Sequence, residues 1–385
     1  MVGRRFRILL ELCFVLLLSM EFMLASGKCP PEFSNLCKCG YVPYGPGKKP
    51  KYVTNCTNTG FENAFMLRKL PEETEVLIFV GNEVKDLPLN IFGQEVVYEN
   101  LHTIDLSNNH IQSIKGRTFH NVANVTKLIL NDNDLYIVSK DHHPRMFSNF
   151  VNLRELHLKN AFTEKVKASD YLNNLAQIFG NSSLNNLQIL NLENNEITQV
   201  SYREFCSLPA LERLYLGNNR LRDINLNYKC LKYLKELDVG NNLIQYLSDS
   251  ALKNLGTIKH LKLNLSSNPF KCDCNFVSTY EWIFNTTFTL GNKDLLYCWD
   301  GSPALIGKLL SNVQSSELQC PESHSHSPAS FIILTIGFIC LIILLTVLIH
   351  KNKLIIGLYL RRILQPLRSK FHYVSLDRRD PSMEV

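Results

Sequence analysis

Three observations predict an α/β-type solenoid whose parallel β-sheet lines a concave face. Between Thr74 and Asn268 one pattern recurs eight times: an aliphatic residue at offset three, an apolar one at offset five (aliphatic in all but the first copy, which has Phe79) and, in seven copies, Asn at offset eight. The clearest copies read LQILNLENNEI from Leu187, LERLYLGNNRL from Leu211 and LKELDVGNNLI from Leu234. Cysteine clusters bracket this array, as the caps of a stacked fold require, and a long charge-free apolar run follows it. A sustained period of this kind sets the architecture before any other feature is weighed.

The pattern is the leucine-rich repeat. Repeats start at Thr74, Leu101, Val125, Leu153, Leu187, Leu211, Leu234 and His260, 23 to 28 residues apart except for 34 after Leu153. Each supplies a short strand whose offset-three and offset-five side chains point inward, because side chains alternate along a strand. Leu190 with Leu192 and Leu214 with Leu216 do so mid-array. One coil cannot cover its own apolar face, so neighbours stack. The Asn series (Asn82, Asn109, Asn133, Asn195, Asn219, Asn242, Asn268) falls where each coil turns away from the sheet. An amide that both donates and accepts suits the unpaired backbone there, so these residues read as structural. The fourth repeat carries Ala161 in place of Asn, and a polar stretch, Thr163 to Asn186, follows. It reads as a lengthened coil that bulges from the convex side or rim, as a functional insertion or a tolerated loop.

Offset-four side chains project onto the concave face: Ile78, Asp105, Ile129, His157, Asn191, Tyr215, Asp238 and Asn264. Eight strands at about 4.8 Å make a sheet about 38 Å wide, enough for a protein partner. Flanking positions add His102, Lys127, Arg154, Glu155, Glu212, Arg213, Lys235 and Glu236. Mixed charges with a few rings fit protein recognition better than a polyanion groove. The predicted partner-binding residues are Asp105, Ile129, His157, Asn191, Tyr215 and Asp238.

The chain opens on basic MVGRRFR, runs through ILLELCFVLLLSM and reaches the small residues Ala25, Ser26 and Gly27, the three regions of a signal peptide. Of twelve cysteines, Cys13 lies in that leader and Cys340 in the later apolar run. Ten remain for an oxidising compartment. Cys29, Cys37, Cys39 and Cys56 precede the repeats, and Cys272, Cys274, Cys298 and Cys320 follow them. Solenoid ends expose apolar faces, and small caps need staples; spacing alone leaves their connectivity open. Cys206 and Cys230 are each the twentieth residue of their repeats, which favours a bridge between consecutive coils over two buried thiols. Sequons at Asn55, Asn124, Asn181, Asn264 and Asn285 are candidate glycan sites in a secreted domain. A glycan on Asn264 would close one end of the concave face.

Phe331 to Ile349 carries no charge over a length that matches a bilayer core. Lys351, Lys353, Arg361 and Arg362 follow it, which places the last 35 residues in the cytoplasm. The predicted organisation is a signal peptide (1–27), an N-terminal cap (28–73), eight repeats (74–268), a cysteine-rich cap (269–320), a stalk (321–330), a transmembrane helix (331–350) and a tail (351–385). The protein is therefore expected at the plasma membrane as a single-pass type I chain with its N-terminus outside. The tail has eight Lys/Arg against three Asp/Glu, so its proximal stretch is expected along an anionic inner leaflet. Met383 and the terminal Val385 have the form of a PDZ ligand, which adds a strand to a sheet edge while a backbone nest holds the carboxylate.

No catalytic constellation is present: G-x-S-x-G, H-E-x-x-H and phosphate-loop patterns are missing, so the chain is not expected to be an enzyme. No cofactor or metal is expected. The +6 formal charge comes largely from the tail and gives no case for nucleic acid.

Beyond the features any extracellular repeat protein shares, the cap stretch GNKDLLYCWDG…LLSNVQSSELQC resembles that of the trophoblast glycoprotein family. The Asn-less fourth repeat, the tail's FHY at 371–373, its Asp380-Pro381 and its terminal Val are also similar. The Gly/Pro/Lys-rich loop from Gly40 to Lys51 and the terminal Met-Glu-Val depart from the family's pattern, so the chain is identified as a diverged relative. The resemblance implies inhibition of Wnt signalling at the plasma membrane through the Wnt co-receptor, and a tail that binds a PDZ protein. Resemblance to capped repeat proteins implies Cys29–Cys39, Cys37–Cys56, Cys272–Cys298 and Cys274–Cys320. Adhesion or synapse-organising receptors and auxiliary subunits of ion channels share this architecture and stand as alternatives.

Overall fold

The computed structural model describes residues 29–33, 35–137, 143–163, 168–200, 203–258, 260–286, 289–318 and 328–368. The chain forms two compact units, Met1–Cys320 and Pro321–Val385. The leader, Cys320, the stalk up to Ser327, and Met383 and Val385 of the terminal motif lie outside the described residues.

In the first unit the strands are β1 (Lys38–Tyr44), β2 (Lys49–Asn55), β3 (Val76–Ile78), β4 (Asp86–Leu87), β5 (Thr103–Asp105), β6 (Ser113–Ile114), β7 (Lys127–Ile129) and β8 (Glu155–His157). There follow β9 (Ile189–Asn191), β10 (Arg213–Tyr215), β11 (Glu236–Asp238), β12 (Lys262–Asn264), β13 (Phe270–Cys272), β14 (Thr289–Gly291) and β15 (Cys298–Gly301). An eleven-stranded sheet runs β1-β2-β3-β5-β7-β8-β9-β10-β11-β12-β14. Every pair is parallel except β1–β2. The register is unbroken through the repeats: Leu128, Leu156, Leu190, Leu214, Leu237 and Leu263 align as one row, and all six are fully buried.

Each coil closes through its buried Asn. The Asn219 carboxamide oxygen accepts from the Asn195 and Ile197 amides at 2.9 and 3.0 Å. Its nitrogen donates to the carbonyls of Leu192, Leu216 and Gly217. Each Asn so links its own coil to the one before. At the fourth repeat the Ala161 amide donates to Asn195 Oδ1, but alanine has no carboxamide to pass the ladder on. The residue just before the ladder Asn carries a second signal: Asn108, Asn194, Asn218 and Asn241 adopt φ between 52 and 59°. Asparagine tolerates this left-handed conformation better than most residues, which accounts for the Asn-Asn pairs of the motif.

Two expectations need correction. The stretch from Thr163 to Asn186 is not simply a polar loop, because it contains α1 (Ala168–Ser182). Leu172, Leu175, Ile178 and Phe179 recur at helical spacing and are buried against the core, while Asn174 donates to the Ile137 carbonyl at 2.8 Å. The Gly40–Lys51 region is likewise a β-hairpin rather than a loop: β1 and β2 pair from Lys38↔Asn55 to Tyr44↔Lys49 around a Gly45–Lys48 turn. Tyr41 packs edge-on to Tyr52 across it, with ring centroids 5.4 Å apart.

The caps are stapled. Cys29–Cys39 and Cys37–Cys56 hold the hairpin to the buried Phe33 turn. Cys272–Cys298 joins β13 to β15, and Cys274 is also disulfide-bonded. Gly301, at φ 117°, passes so close to Cys272 that a Cβ would sit 2.3 Å from its carbonyl oxygen. Helices α2 (Asp249–Leu255) and α3 (Val277–Asn285) close the C-terminal end, with Thr279 Oγ1 accepting from the Leu247 amide. On the convex side Cys206–Cys230 bridges consecutive coils with Cα atoms 5.2 Å apart. Closing a loop of this size contributes about 3 kcal/mol in the chain-entropy view.

The second unit comprises α4 (Pro328–Lys351) and α5 (Lys353–Arg368). Within α4, Ile332–Lys351 is long and apolar enough to cross a membrane. Helix α5 is amphipathic: Ile356, Tyr359, Leu360 and Ile363 share one face at i, i+3, i+4, i+7 spacing, with Arg361 and Arg362 off it.

Candidate functional site

On each strand the central residue enters the core, so the residues beside it face the concave surface. One row reads Thr103, Lys127, Glu155, Ile189, Arg213, Glu236, Lys262, and the other Asp105, Ile129, His157, Asn191, Tyr215, Asp238, Asn264. The six predicted partner-binding residues therefore lie on one continuous surface. Their roles differ.

Asp105, Asn191, Asp238 and Asn264 each turn an oxygen back on the chain two residues later. Asp105 accepts from the Ser107 amide, Asn191 from Glu193, Asp238 from Gly240 and Asn264 from Ser266. The Asn264 nitrogen also donates to Asp238 at 3.0 and 3.1 Å. These side chains shape the turn beyond the strand. A glycan on that nitrogen would displace the Asp238 contact.

His157, Tyr215 and Ile129 are not held in this way and present ring and aliphatic surface at the centre of the face. His157 Nε2 lies 3.2 Å from Glu155 Oε2, and the Tyr215 hydroxyl donates to Glu236 Oε2 at 3.3 Å. The charges around them are paired between strands: Lys127 with Glu155 at 2.9 Å, Lys235 with Glu212 at 2.8 Å and Lys262 with Glu236 at 2.8 Å. This pairing leaves no strong field of one sign. The surface suits a partner with a matching polar rim and an apolar centre.

One neighbour of this face is not legible in the repeat pattern: Tyr44 of the N-terminal hairpin. Tyr44, at its tip, is half-buried; burial raises its hydroxyl pKa, and Lys127, Asp105 and Glu155 lie within electrostatic reach of it.

The hydrogen bond to His157, ahead of that to Lys127, holds the Glu155 carboxyl at about 2 although burial pushes it up. A carboxylate whose pKa falls on folding stabilises the fold above its unfolded value and loses that contribution as pH falls through the folded one. Acidification from 4.5 to about 2 should withdraw about 1 kcal/mol, after discounting for screening of a partly exposed pair. Thermal melts across that window should show a shallower fall for Glu155→Gln than for wild type. Equal slopes would remove Glu155 from the account.

Of the sequon residues, Asn124, Asn181 and Asn285 are exposed, whereas Asn55 and Asn264 are partly covered. Asn181 is the penultimate residue of α1.

Residues 99–161 and 168–221 match the Leucine rich repeat family, and 209–254 match its two-copy form. The chain is 23% identical to trophoblast glycoprotein of Macaca fascicularis over 302 residues, which is 76% of this chain and 68% of that one. Against trophoblast glycoprotein of Mus musculus it is 23% identical over 265 residues, 65% of this chain and 62% of that one. Lumican of Coturnix japonica is 27% identical over 207 residues, 47% of this chain and 53% of its own. Among solved structures, the crystal structure of human 5T4 (Wnt-activated inhibitory factor 1, trophoblast glycoprotein) superposes with a TM-score of 0.64 at 22% identity. It covers 76% of this chain and all of that one, and the likeness shows a shared fold.

Proposed function

We propose that this chain, a diverged relative of trophoblast glycoprotein, is a single-pass glycoprotein of the plasma membrane that inhibits Wnt signalling by binding a protein partner on its concave face. The observation that carries the binding role is the ring-bearing centre of that face, His157 and Tyr215 within a frame of paired charges. The name Wnt-activated inhibitory factor 1, borne by the human structure of like fold, supports the pathway. The partner class is an extracellular or membrane protein, with the Wnt co-receptor as the first candidate. The apolar helix α4 followed by Lys351 and Lys353 supports a type I orientation with the repeats outside. The disulfide-stapled caps fit that compartment. Glycans at Asn124, Asn181 and Asn285 would sit on exposed ground, and Met383 with Val385 would engage a PDZ protein.

Expressing the full chain in Wnt-responsive reporter cells tests this reading. A severalfold lower response with the protein at the cell surface supports it. An unchanged or raised response overturns the inhibitory role and leaves the binding face to be tested by itself.

A further inference from the structure

Where a short helical turn (Lys293–Leu295) leads into β15, the C-terminal cap keeps the in–out alternation of a surface segment but not its usual polarity. Along 295–299, Leu296 and Cys298 are buried, while the residues between them, Leu295, Tyr297 and Trp299, face outward at 52, 42 and 72% exposure. The outward side of such a segment is ordinarily polar; here it presents an aliphatic, a phenol and an indole in turn. The chain then turns back antiparallel. Gly307 and Lys308 exchange backbone hydrogen bonds with Cys298, Tyr297 bridges to Leu309, and the exposed Ile306 joins the same region. A patch with two aromatic residues is a partner surface rather than a scatter of single apolar residues.

Its place in the chain names the partner. Lys308, bonded through its carbonyl to Cys298, also pairs with Glu317 at 2.9 Å, one residue before Leu318. The patch is thus two short contacts from the point where the chain leaves the cap. From Leu318 to Pro328, the first residue of the apolar helix, there are ten backbone steps, which reach at most about 36 Å. Tryptophan and tyrosine with flanking aliphatics are the side chains that favour the headgroup boundary of a bilayer, where the ring is buried and the polar edge stays wet. Asp294 and Asp300 flank the row, and Lys293 is drawn over the Phe284 ring. The surface therefore has no excess of positive charge to demand anionic lipid.

We propose that the face formed by Leu295, Tyr297, Trp299 and Ile306 rests on the outer leaflet of the membrane that anchors the chain, as an interfacial aromatic foot. The inference depends on the membrane-anchored reading above.

The chain has two tryptophans, Trp282 and Trp299, and Trp282 packs against the core, so lipid contact can be read directly. The full chain is reconstituted in phosphatidylcholine vesicles with and without bromine near the headgroup end of the acyl chains. Quenching of about half the emission is expected, kept in Trp282→Phe and lost in Trp299→Phe. Alkaline extraction of the same vesicles reports anchoring separately. If the protein stays in the bilayer but Trp282→Phe is unquenched, the foot is overturned and the anchor stands. If the protein washes out, the anchored reading fails and the foot with it. A Trp299 shielded from aqueous acrylamide yet untouched by bromolipid would mean that protein covers the patch, which also overturns the proposal.

Discussion

Replacing Asn219 with alanine should lower the stability of the repeat unit by about 4 kcal/mol, from the summed cost of orphaned buried groups. The carboxamide is 7% exposed and serves five backbone groups, two amides and three carbonyls. Alanine strands the Asn195 and Ile197 amides at about 1–3 kcal/mol each, and the carbonyls lose a donor. Folded domains are stable by only about 5–15 kcal/mol, so the variant should be retained in the secretory pathway and melt well below wild type. Asn219→Asp should do no better, because it keeps the acceptor but aims a charge at three carbonyls. Asn218→Gly, at φ 54° one residue earlier, should be nearly neutral since glycine accepts that conformation. Melting of purified chains with surface expression measures all three. An Asn219→Ala protein within 1 kcal/mol of wild type would show that the ladder Asn is dispensable.

The repeats were legible because their signal is periodic: each buried Leu is repeated by its neighbour, and register follows from counting. Harder to read were the segments where that period lapses. Around α1 the apolar residues do follow a helical spacing, Leu172, Leu175, Ile178 and Phe179, but the intervening asparagines and serines make the composition look like loop. The hairpin is disguised by Pro43 and Pro50, which face each other in the antiparallel ladder, and by glycines that serve its turn. Strand β14 continues the parallel sheet through Leu263↔Leu290 without the Asn or second Leu that would mark a ninth repeat. Of the face itself, the sequence named the residues but not their duties. Nothing in the pattern separates Asp105 or Asp238, turned back on the backbone, from His157 and Tyr215, whose rings bond neighbouring carboxylates instead.

That separation predicts where binding is lost. The double variant His157→Lys, Tyr215→Lys should abolish the effect of the full chain in the reporter assay, with partner affinity down by about a hundredfold or more, the cost of two central anchors. Lysine is chosen because each position faces a carboxylate, Glu155 at 3.2 Å and Glu236 at 3.3 Å. A lysine there keeps an ionic partner, so folding and surface expression should survive. What disappears is the ring surface, and two charges now stand at the centre of the face, where burial under a partner carries a desolvation cost even beside those carboxylates. Asp105→Asn serves as a contrast, because an amide oxygen still accepts from the Ser107 amide and the turn is retained. Its effect on binding should be small. Lys235→Gln, which breaks an exposed pair with Glu212, should cost no more than about 1 kcal/mol. If the double lysine variant reaches the surface and signals like wild type, recognition does not use this face, and the site belongs on the convex side or a cap.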